Sequence, residues 1–562
     1  MLMKSEEITI PSLLEKYRGW VEKGEIQFLK DSKSKNDILN HLGPLIQEFK
    51  EADRIRKTFD ENKKETDYGL YLNWAETHKK GYELWKKLAS YALKNIDSNS
   101  KGNSKLFEFL EKATDFEDLL YGLEIYYRDH TLHSMWVYFL GEHILRDHLP
   151  DIRNNLNWYI YNDIERDKEI LGFEKETIDK LIKTAEEAEE EFREELNEYR
   201  DAIWCIIALC HDLGYSLSKL NKLNEKVRSV LEFFDLTHFQ KIGYMLDVED
   251  QYIVSQFLEL MAVDIRMFPF VEGTNVQTLL KCYRDDSTYW RLCRALEGKR
   301  HGILSSYLIY KILGTFSESS VRGSAEEWGL EDDEVINSAI RGDILFAITQ
   351  HDFEFAHLSQ LSSLADILVL VDEIEEFSRY GRQLLSRKYQ DTTAKVEIEF
   401  KSSNTGNKET PTKIEQGDDL EIIIKYTVAE QLKSKEEFYG FFKQKAEKLC
   451  QFYSLSLSEE DRDNYSLPDK NKNKYCNIKS ILMSIEHINV GKMYFLLHRN
   501  EEENKIYLPK TLIKPEKTVK PLKPKEREYK VSCLDDVLIV HYRGKDILLK
   551  DWLENAEELK RT

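Results

Sequence analysis

The chain reads as a mainly α protein with an N-terminal helical region, a helical central domain and an α+β C-terminal domain. Three observations predict this. Up to about residue 387, apolar residues recur at three- and four-residue steps with charges between them, the period of amphipathic helices. After residue 390 the pattern changes to β-branched side chains at every second position, the period of half-buried strands. With 562 residues the chain is also too long for a single core.

The elements follow in order. "PSLLEKYRGWVEKGEIQFL" and "DILNHLGPLIQEFKEADRI" carry helical spacing through residues 1–100. The polar break "KNIDSNSKGNSK" (94–105) marks a boundary, so the central domain is expected over residues 101–390. Within it nearly everything reads as helix. "KTAEEAEEEFREELNEYRD" (183–201), with Ala188, Phe192 and Leu196 at helical spacing, is expected to be a solvated helix face. In residues 391–562, "TTAKVEIEF" and "DDLEIIIKYTV" read as strands joined by the loop "SSNTGNKETPTKIEQGD", and "SKEEFYGFFKQKAEKLCQFY" reads as a helix. "CNIKSILMSIEHI" is compatible with strand or helix, while "KMYFLLHR", "KIYLP" and "DDVLIVHY" read as strands. "KPEKTVKPLKPKEREYK" (514–530) is expected to be an extended, solvated connector. The C-terminal domain carries no catalytic motif, which leaves regulation or oligomerisation as its expected role, and the chain has no internal repeat.

Composition narrows the partners. A formal net charge of −21 disfavours a sequence-independent grip on DNA or RNA, which needs many cations facing phosphates, so no polymeric nucleic acid is expected as partner. It leaves room for a small phosphorylated ligand. The seven cysteines (Cys205, Cys210, Cys282, Cys293, Cys450, Cys476 and Cys533) form no CxxC pair and read as reduced thiols. "MLMKSEEITI" lacks a signal-peptide pattern and no apolar run approaches ~18 residues, so a cytoplasmic protein without a membrane span is expected.

The chemistry begins at "WCIIALCHDLGYSLSKL" (204–220), where an apolar run, Ala202–Cys210, delivers His211 and Asp212 side by side. A carboxylate at the edge of an apolar core is costly unless something pairs with it, and a cation would do so. Four other places carry metal-capable residues. "YYRDHTLHSMWVYFLG" sets His130 and His133 one helical turn apart, and "KRHGILSSYLIYKIL" opens a helix at His301. "ILFAITQHDFEFAH" ends an apolar run at His351, and "SSLADILVLVDEIEEFSR" places Asp366 and Asp372 in or beside an aliphatic helix. Taken together these residues point to a bound metal. Adjacent helical residues point ~100° apart, so His211 and Asp212 meet only at an object between their two stripes. Mixed imidazole and carboxylate ligation suits Mn or Fe, with Co, Ni, Zn and Mg as alternatives, as one ion or two. Gly214 is expected to let the chain turn away and open the pocket mouth.

His133 in "HSMWV", His211-Asp212 in "CHDLGY" and Asp372 in "LVDEIEEFSR" resemble the H…HD…D signature of the HD-domain metal-dependent phosphohydrolases. The resemblance covers roughly residues 120–390, and it implies a helical HD-domain core. "LVDEIEEFSR" resembles the closing helix of HD domains in bacterial nucleotide-signalling and antiviral conflict systems. His301 and His351 fall where two-metal members carry two extra histidines, which would make them second-metal ligands or catalytic residues. Asp352 and Asp366 compete for ligand roles. Asp372 is preferred because it lies in the resembling segment, and Asp366 sits near a helix start where a carboxylate suits the dipole. The "HDIGHPPFGH" run of many deoxynucleotide triphosphohydrolases and the "GYP" motif of cyclic-di-GMP-specific members are absent, so the substrate does not carry over from either group.

The expected ligand set is therefore His133, His211, Asp212, His301, His351 and Asp372. His130, His301 and His351 are the catalytic candidates. Lys219, Arg300 and Arg379 are candidates for substrate phosphate, and Tyr215 for base or sugar. The expected reaction is hydrolysis of a nucleotide by a metal-activated water, with a nucleoside or deoxynucleoside triphosphate as leading substrate. A phosphodiesterase acting on a cyclic or oligonucleotide messenger is the alternative, and a non-catalytic nucleotide sensor the second. A regulatory nucleotide and self-association into a homo-oligomer are the further expected partners.

Overall fold

The structure, a computed structural model, describes residues 7–61, 74–97, 101–120, 126–128, 130–154, 160–162, 174–234, 248–272, 275–317, 332–352, 360–377, 380–383, 389–391, 394–402, 419–428, 441, 444–445, 448–449, 476–487, 491–500, 505–507, 530–534, 537–542 and 545–548. It is mainly helical, as its period predicts.

The first helix, Ile10–Lys23, shows how local chemistry sets these elements. Thr9 and Ser12 form a reciprocal capping box, proline occupies the first turn, and Gly24 ends the helix at φ 74°. Its buried face is Leu13, Leu14, Tyr17 and Val21, and the Tyr17 hydroxyl lies 2.8 Å from that of Tyr138. The break near residue 100 falls between helices Trp74–Ile96 and Asn103–Leu120. Gly102 adopts φ 95° there, and a Cβ on it would lie 2.0 Å from the carbonyl oxygen of Ile312. Only glycine meets both demands.

The 36-residue helix Lys175–Cys210 packs against helices Trp74–Ile96, His130–His143 and Asp332–Gln350. The charge-laced segment 183–201 forms its middle, with Phe192 and Leu196 turned into the core; the side chain of Ala188 lies outside the described residues. Its last turns, Ala202–Cys210, are buried on every face. Trp204 is seated against Gly141, where a Cβ would lie 1.9 Å from the indole, and Trp85 donates to the carbonyl of Leu209 at 3.2 Å. The apolar run is thus held at a fixed depth. Cys205, Cys210 and Cys293 are free thiols.

The central region is not as uniformly helical as its spacing predicts. Val263–Glu272 and Asn275–Arg284 form an antiparallel hairpin, and Ile160–Asn162 adds a parallel third strand. The Glu272↔Asn275 pairing leaves only Gly273 and Thr274 between the strands, a length suited to a hairpin. A second small sheet joins Tyr126–Arg128, Tyr380–Gln383 and Tyr389–Asp391.

The expected strands after residue 390 belong to a sheet of ten strands among the described residues. Ala394–Ser402 pairs antiparallel with Asp419–Val428, which pairs parallel with Cys476–His487, so that ambiguous segment is a strand. Gly491–Asn500 and Lys505–Tyr507 follow antiparallel. Lys530–Leu534, Val537–Tyr542 and Lys545–Leu548 complete that path; of these, only Val537–Tyr542 is anticipated by the alternation. The stretches 403–418 and 514–529, read as loop and connector, lie outside the described residues. Leu420, Ile422, Ile424, Tyr426 and Val428 bury one face. A parallel pair requires a long crossover, and within it Phe441, Gln444, Lys445, Lys448 and Leu449 are helical. Two distant segments join this sheet: Glu7–Ile8 pairs with Ala394–Ser402, and Gln360–Leu361 pairs with Asn477 and Cys476. The buried side chains form one continuous cluster from Ile8 to Ile485. Among the described residues no helix is long and apolar enough to cross a membrane.

Candidate metal centre

Five helix ends or turns bring the histidines and aspartates together. His133 lies in the first turn of His130–His143, and His211-Asp212 follows the end of Lys175–Cys210. His301 opens helix His301–Ile312, His351 follows helix Asp332–Gln350, and Asp372 sits in the last turn of Leu364–Ile374. Two glycines allow the backbones to approach. A Cβ on Gly214 would lie 2.5 Å from the carbonyl oxygen of His301 and 2.6 Å from the nitrogen of Ser305. A Cβ on Gly302 would lie 2.8 Å from the carbonyl oxygen of Ile348. Gly214 itself has an ordinary right-handed backbone, φ −82°. Its role is therefore close packing, not the turning freedom expected from sequence. Its N–H donates to Ser305 Oγ at 2.7 Å, and that hydroxyl donates to the carbonyl of His301 at 2.9 Å.

Each of the four imidazoles has its Nδ1 against an oxygen acceptor. His133 Nδ1 lies 2.6 Å from Glu375 Oε2, and His301 Nδ1 lies 2.7 Å from Asp352 Oδ2. His211 Nδ1 lies 2.8 Å from the carbonyl of Ala208, and His351 Nδ1 lies 2.6 Å from that of Ile348. A carbonyl only accepts, so the Nδ1 atoms of His211 and His351 carry hydrogen and, in the neutral ring, Nε2 holds the lone pair.

The Nε2 atoms converge on Asp212 and Asp372. Asp212 Oδ2 lies 3.5 Å from His211 Nε2 and 3.9 Å from His133 Nε2. Its other oxygen, Oδ1, lies 3.3 Å from His301 Nε2 and 3.7 Å from His351 Nε2. Asp372 Oδ1 lies 2.7 Å from His133 Nε2 and 3.6 Å from His211 Nε2. The Nε2 atoms of His301 and His351 are 3.0 Å apart. Three overlapping trios (His133, His211, Asp212; His211, His351, Asp372; Asp212, His301, His351) each bring their ligand atoms within 4.8 Å of one another.

The electrostatics follow from this crowding. Burial disfavours the charged form of His301, but the Asp352 carboxylate and then Asp212 outweigh it and push the imidazole up to about 10. Burial pushes His351 down, and the neighbouring His301 and His211 add to that despite a bond to Asp212. Asp372 is opposed by burial too, yet the bond from His133 and the two nearby imidazoles hold it well below the usual carboxylate range. His211 Nε2 is fully buried and, among the described residues, has no hydrogen-bond partner. A lone pair facing carboxylate oxygens beyond hydrogen-bond range is unfavourable unless a cation lies between them. The donor set fits a divalent ion bound by imidazole and carboxylate, with the oxygen acceptors behind each Nδ1 that such sites carry.

The remaining sequence-derived candidates divide. Tyr215 packs edge-on against His301, ring centroids 5.6 Å apart, and Lys219 Nζ lies 4.3 Å over the Tyr215 ring. Arg300 lies 3.9 Å from Asp352. These three therefore flank the His301 side of the centre. His130 opens its helix, but its side chain lies outside the described residues, as does Arg379. Asp366 is not brought to the centre: its carboxylate accepts from the nitrogens of Ser362 and Ser363 and closes a capping box. Asp352 touches His301 through Nδ1 and through the backbone nitrogen at 2.8 Å, so it orients a ligand candidate. Glu375, missed in the sequence, is the acceptor for His133; its position three residues after Asp372 was the available signal.

Scans of protein-family models, of curated proteins and of solved structures each return no match to this chain.

Proposed function

We propose that the chain is a metal-dependent phosphohydrolase of nucleotides built on an HD-type helical core. One observation carries the reading: four imidazoles have Nδ1 tied to oxygen acceptors while their Nε2 atoms face Asp212 and Asp372. That is how a protein orients imidazole rings so that one nitrogen faces a metal. His133, His211, Asp212 and Asp372 would hold one divalent ion, Mn or Fe by preference. His301 and His351, together with Asp212, would hold a second. When bound, such ions supply Lewis-acid polarisation of a phosphoryl oxygen and acidify a water nucleophile.

The chain's own residues supply the rest. Asp352 fixes the ring of His301, which either ligates or hands a proton to the departing oxygen. Lys219 and Arg300 stand on that flank as donors to phosphate, and Tyr215 offers a ring face to base or sugar. A nucleoside or deoxynucleoside triphosphate is the leading substrate, because an acidic chain is poorly suited to a polymer. Cleavage of a cyclic or oligonucleotide messenger is the second reading, favoured by the division of Asp212 between two histidine pairs. The intact set of ligand candidates opposes a purely sensing role. The likeness to antiviral conflict systems supports a place in bacterial defence.

The test is a panel of nucleoside triphosphates, deoxynucleoside triphosphates and cyclic dinucleotides, incubated with the protein and Mn²⁺ and resolved by ion exchange. Tripolyphosphate release supports the first reading, and linear dinucleotide or mononucleotide the second. No turnover on any substrate, together with no metal by elemental analysis, rejects both.

A further inference from the structure

We propose that Lys445, in the crossover of the C-terminal sheet, is a positioning residue of the metal centre, an inference that rests on the metal-binding reading above. The last turn of helix Leu364–Ile374 and the two residues that follow it read Asp372-Glu373-Ile374-Glu375-Glu376. Carboxylates crowd the negative end of the helix dipole there, where they are disfavoured. The structure sorts them onto two sides. Asp372 and Glu375 both face His133, through Nε2 at 2.7 Å and Nδ1 at 2.6 Å. Glu373 and Glu376 instead share Lys445, whose Nζ lies 2.9 Å from Glu373 Oε1 and 2.7 Å from Glu376 Oε1.

Lys445 also donates to the carbonyl oxygen of Glu373 at 2.6 Å, one of the acceptors that a helix C-terminus leaves open. The Tyr426 hydroxyl, from the adjoining strand, donates to the same carbonyl at 3.4 Å. The ammonium is almost fully enclosed, its side chain 5% exposed, and Glu376 is 1% exposed. This is a buried, multiply bonded cation, not a screened surface pair.

The other end of the same helix is tied to the same sheet. Gln360–Leu361, just before the Ser363 cap, pairs with Asn477 and Cys476. An eleven-residue helix carrying one ligand candidate and followed by the partner of another is thus held at both ends by the C-terminal region. Releasing Lys445 frees the last turn to rotate, and Asp372 and Glu375 lose their alignment on His133 together. The C-terminal region is accordingly part of the support of the centre, and whatever displaces its crossover is transmitted to metal affinity.

The test uses the full chain and Mn²⁺ as probe, with affinity and stoichiometry from calorimetry, so that turnover is not the readout. Lys445→Met is expected to weaken Mn²⁺ binding by about 10- to 100-fold, the range for loss of an outer-shell support. Lys445→Arg, which keeps the charge and the donors, is expected to recover most of it. Ile481→Ala, buried in the same sheet but four residues along its strand from the partners of both Tyr426 and Gln360, serves as the control for a general loss of stability and is expected to bind Mn²⁺ like the wild type. Wild-type affinity in Lys445→Met overturns the proposal, as does an equal loss in Ile481→Ala. Should Lys445→Met fail to fold, Glu376→Gln replaces it, with an expected loss of about tenfold; unchanged affinity there overturns the proposal equally. Wild-type protein that takes up no Mn²⁺ overturns the metal reading and this one with it. Wild-type uptake with no change in the variants overturns the clamp alone.

Discussion

Glu375 Oε2 lies 2.6 Å from Nδ1 of His133, and the carboxylate is fully buried. It fixes the ring so that Nε2 faces Asp372 and Asp212. Glu375→Gln keeps an acceptor but loses the charge, and is expected to weaken Mn²⁺ affinity about tenfold; Glu375→Ala is expected to approach about 100-fold. Calorimetric titration of both variants checks the order. Equal affinities in wild type and Glu375→Ala would remove Glu375 from the centre.

Asp212 divides its oxygens between His133 and His211 on one side and His301 and His351 on the other. Its loss should therefore disable both halves. Mn²⁺ at 100 times its dissociation constant is expected to stabilise the wild-type fold by about 2.7 kcal/mol per site. That stabilisation would appear as a rise in Tm that EDTA reverses. Asp212→Asn should show no such rise and no turnover. A metal-dependent shift of wild-type size in Asp212→Asn would place the ion elsewhere.

The ligand candidates were legible because histidine and aspartate at the ends of apolar runs are conspicuous: His211 follows Ala202–Cys210, and His351 follows an aliphatic turn. Their supports were not. Glu373, Glu375 and Glu376 are chemically alike, and only the rotational phase at a helix end sends one to His133 and two to Lys445. Lys445 lies between Lys443 and Lys448 in the sequence, and no local signal marks it for burial. The strands Ala394–Ser402 and Asp419–Val428 announced themselves by alternation, but the parallel pairing to Cys476–His487 is a long-range register that no local period encodes. The hairpin from Val263 to Arg284 was hidden because Met267, Phe268, Pro269 and Phe270 are consecutive apolar residues that blur the period.

The approach of Gly214 to the His301 helix is a steric requirement. Gly214→Ala would press a methyl group on the carbonyl of His301 and the nitrogen of Ser305. It is expected to destabilise the fold by about 1–3 kcal/mol and to lower metal affinity by displacing His301. Gly19, in helix Ile10–Lys23, has open space around the same position. Gly19→Ala is expected to stabilise by about 0.5–1 kcal/mol through helix propensity. Thermal melts of the pair measure the contrast, and Gly214→Ala with an unchanged Tm would refute the close packing.

Acid stability offers a check away from the centre. Asp147 bridges Lys16 Nζ at 3.0 Å and His143 Nδ1 at 2.9 Å. Partial burial works against its charge, but the His143 and Lys16 bonds prevail and hold the carboxyl at about 2. An unfolded aspartate titrates near ~3.9. The folded value is the lower one, so the contribution is fully present above about pH 4 and is lost as the pH falls through about 2. Wild type should therefore lose Tm more steeply than Asp147→Asn between those values, the two curves converging at the acid end. Parallel curves would mean that solvent screens the Lys16 bridge and that Asp147 titrates as an ordinary surface acid.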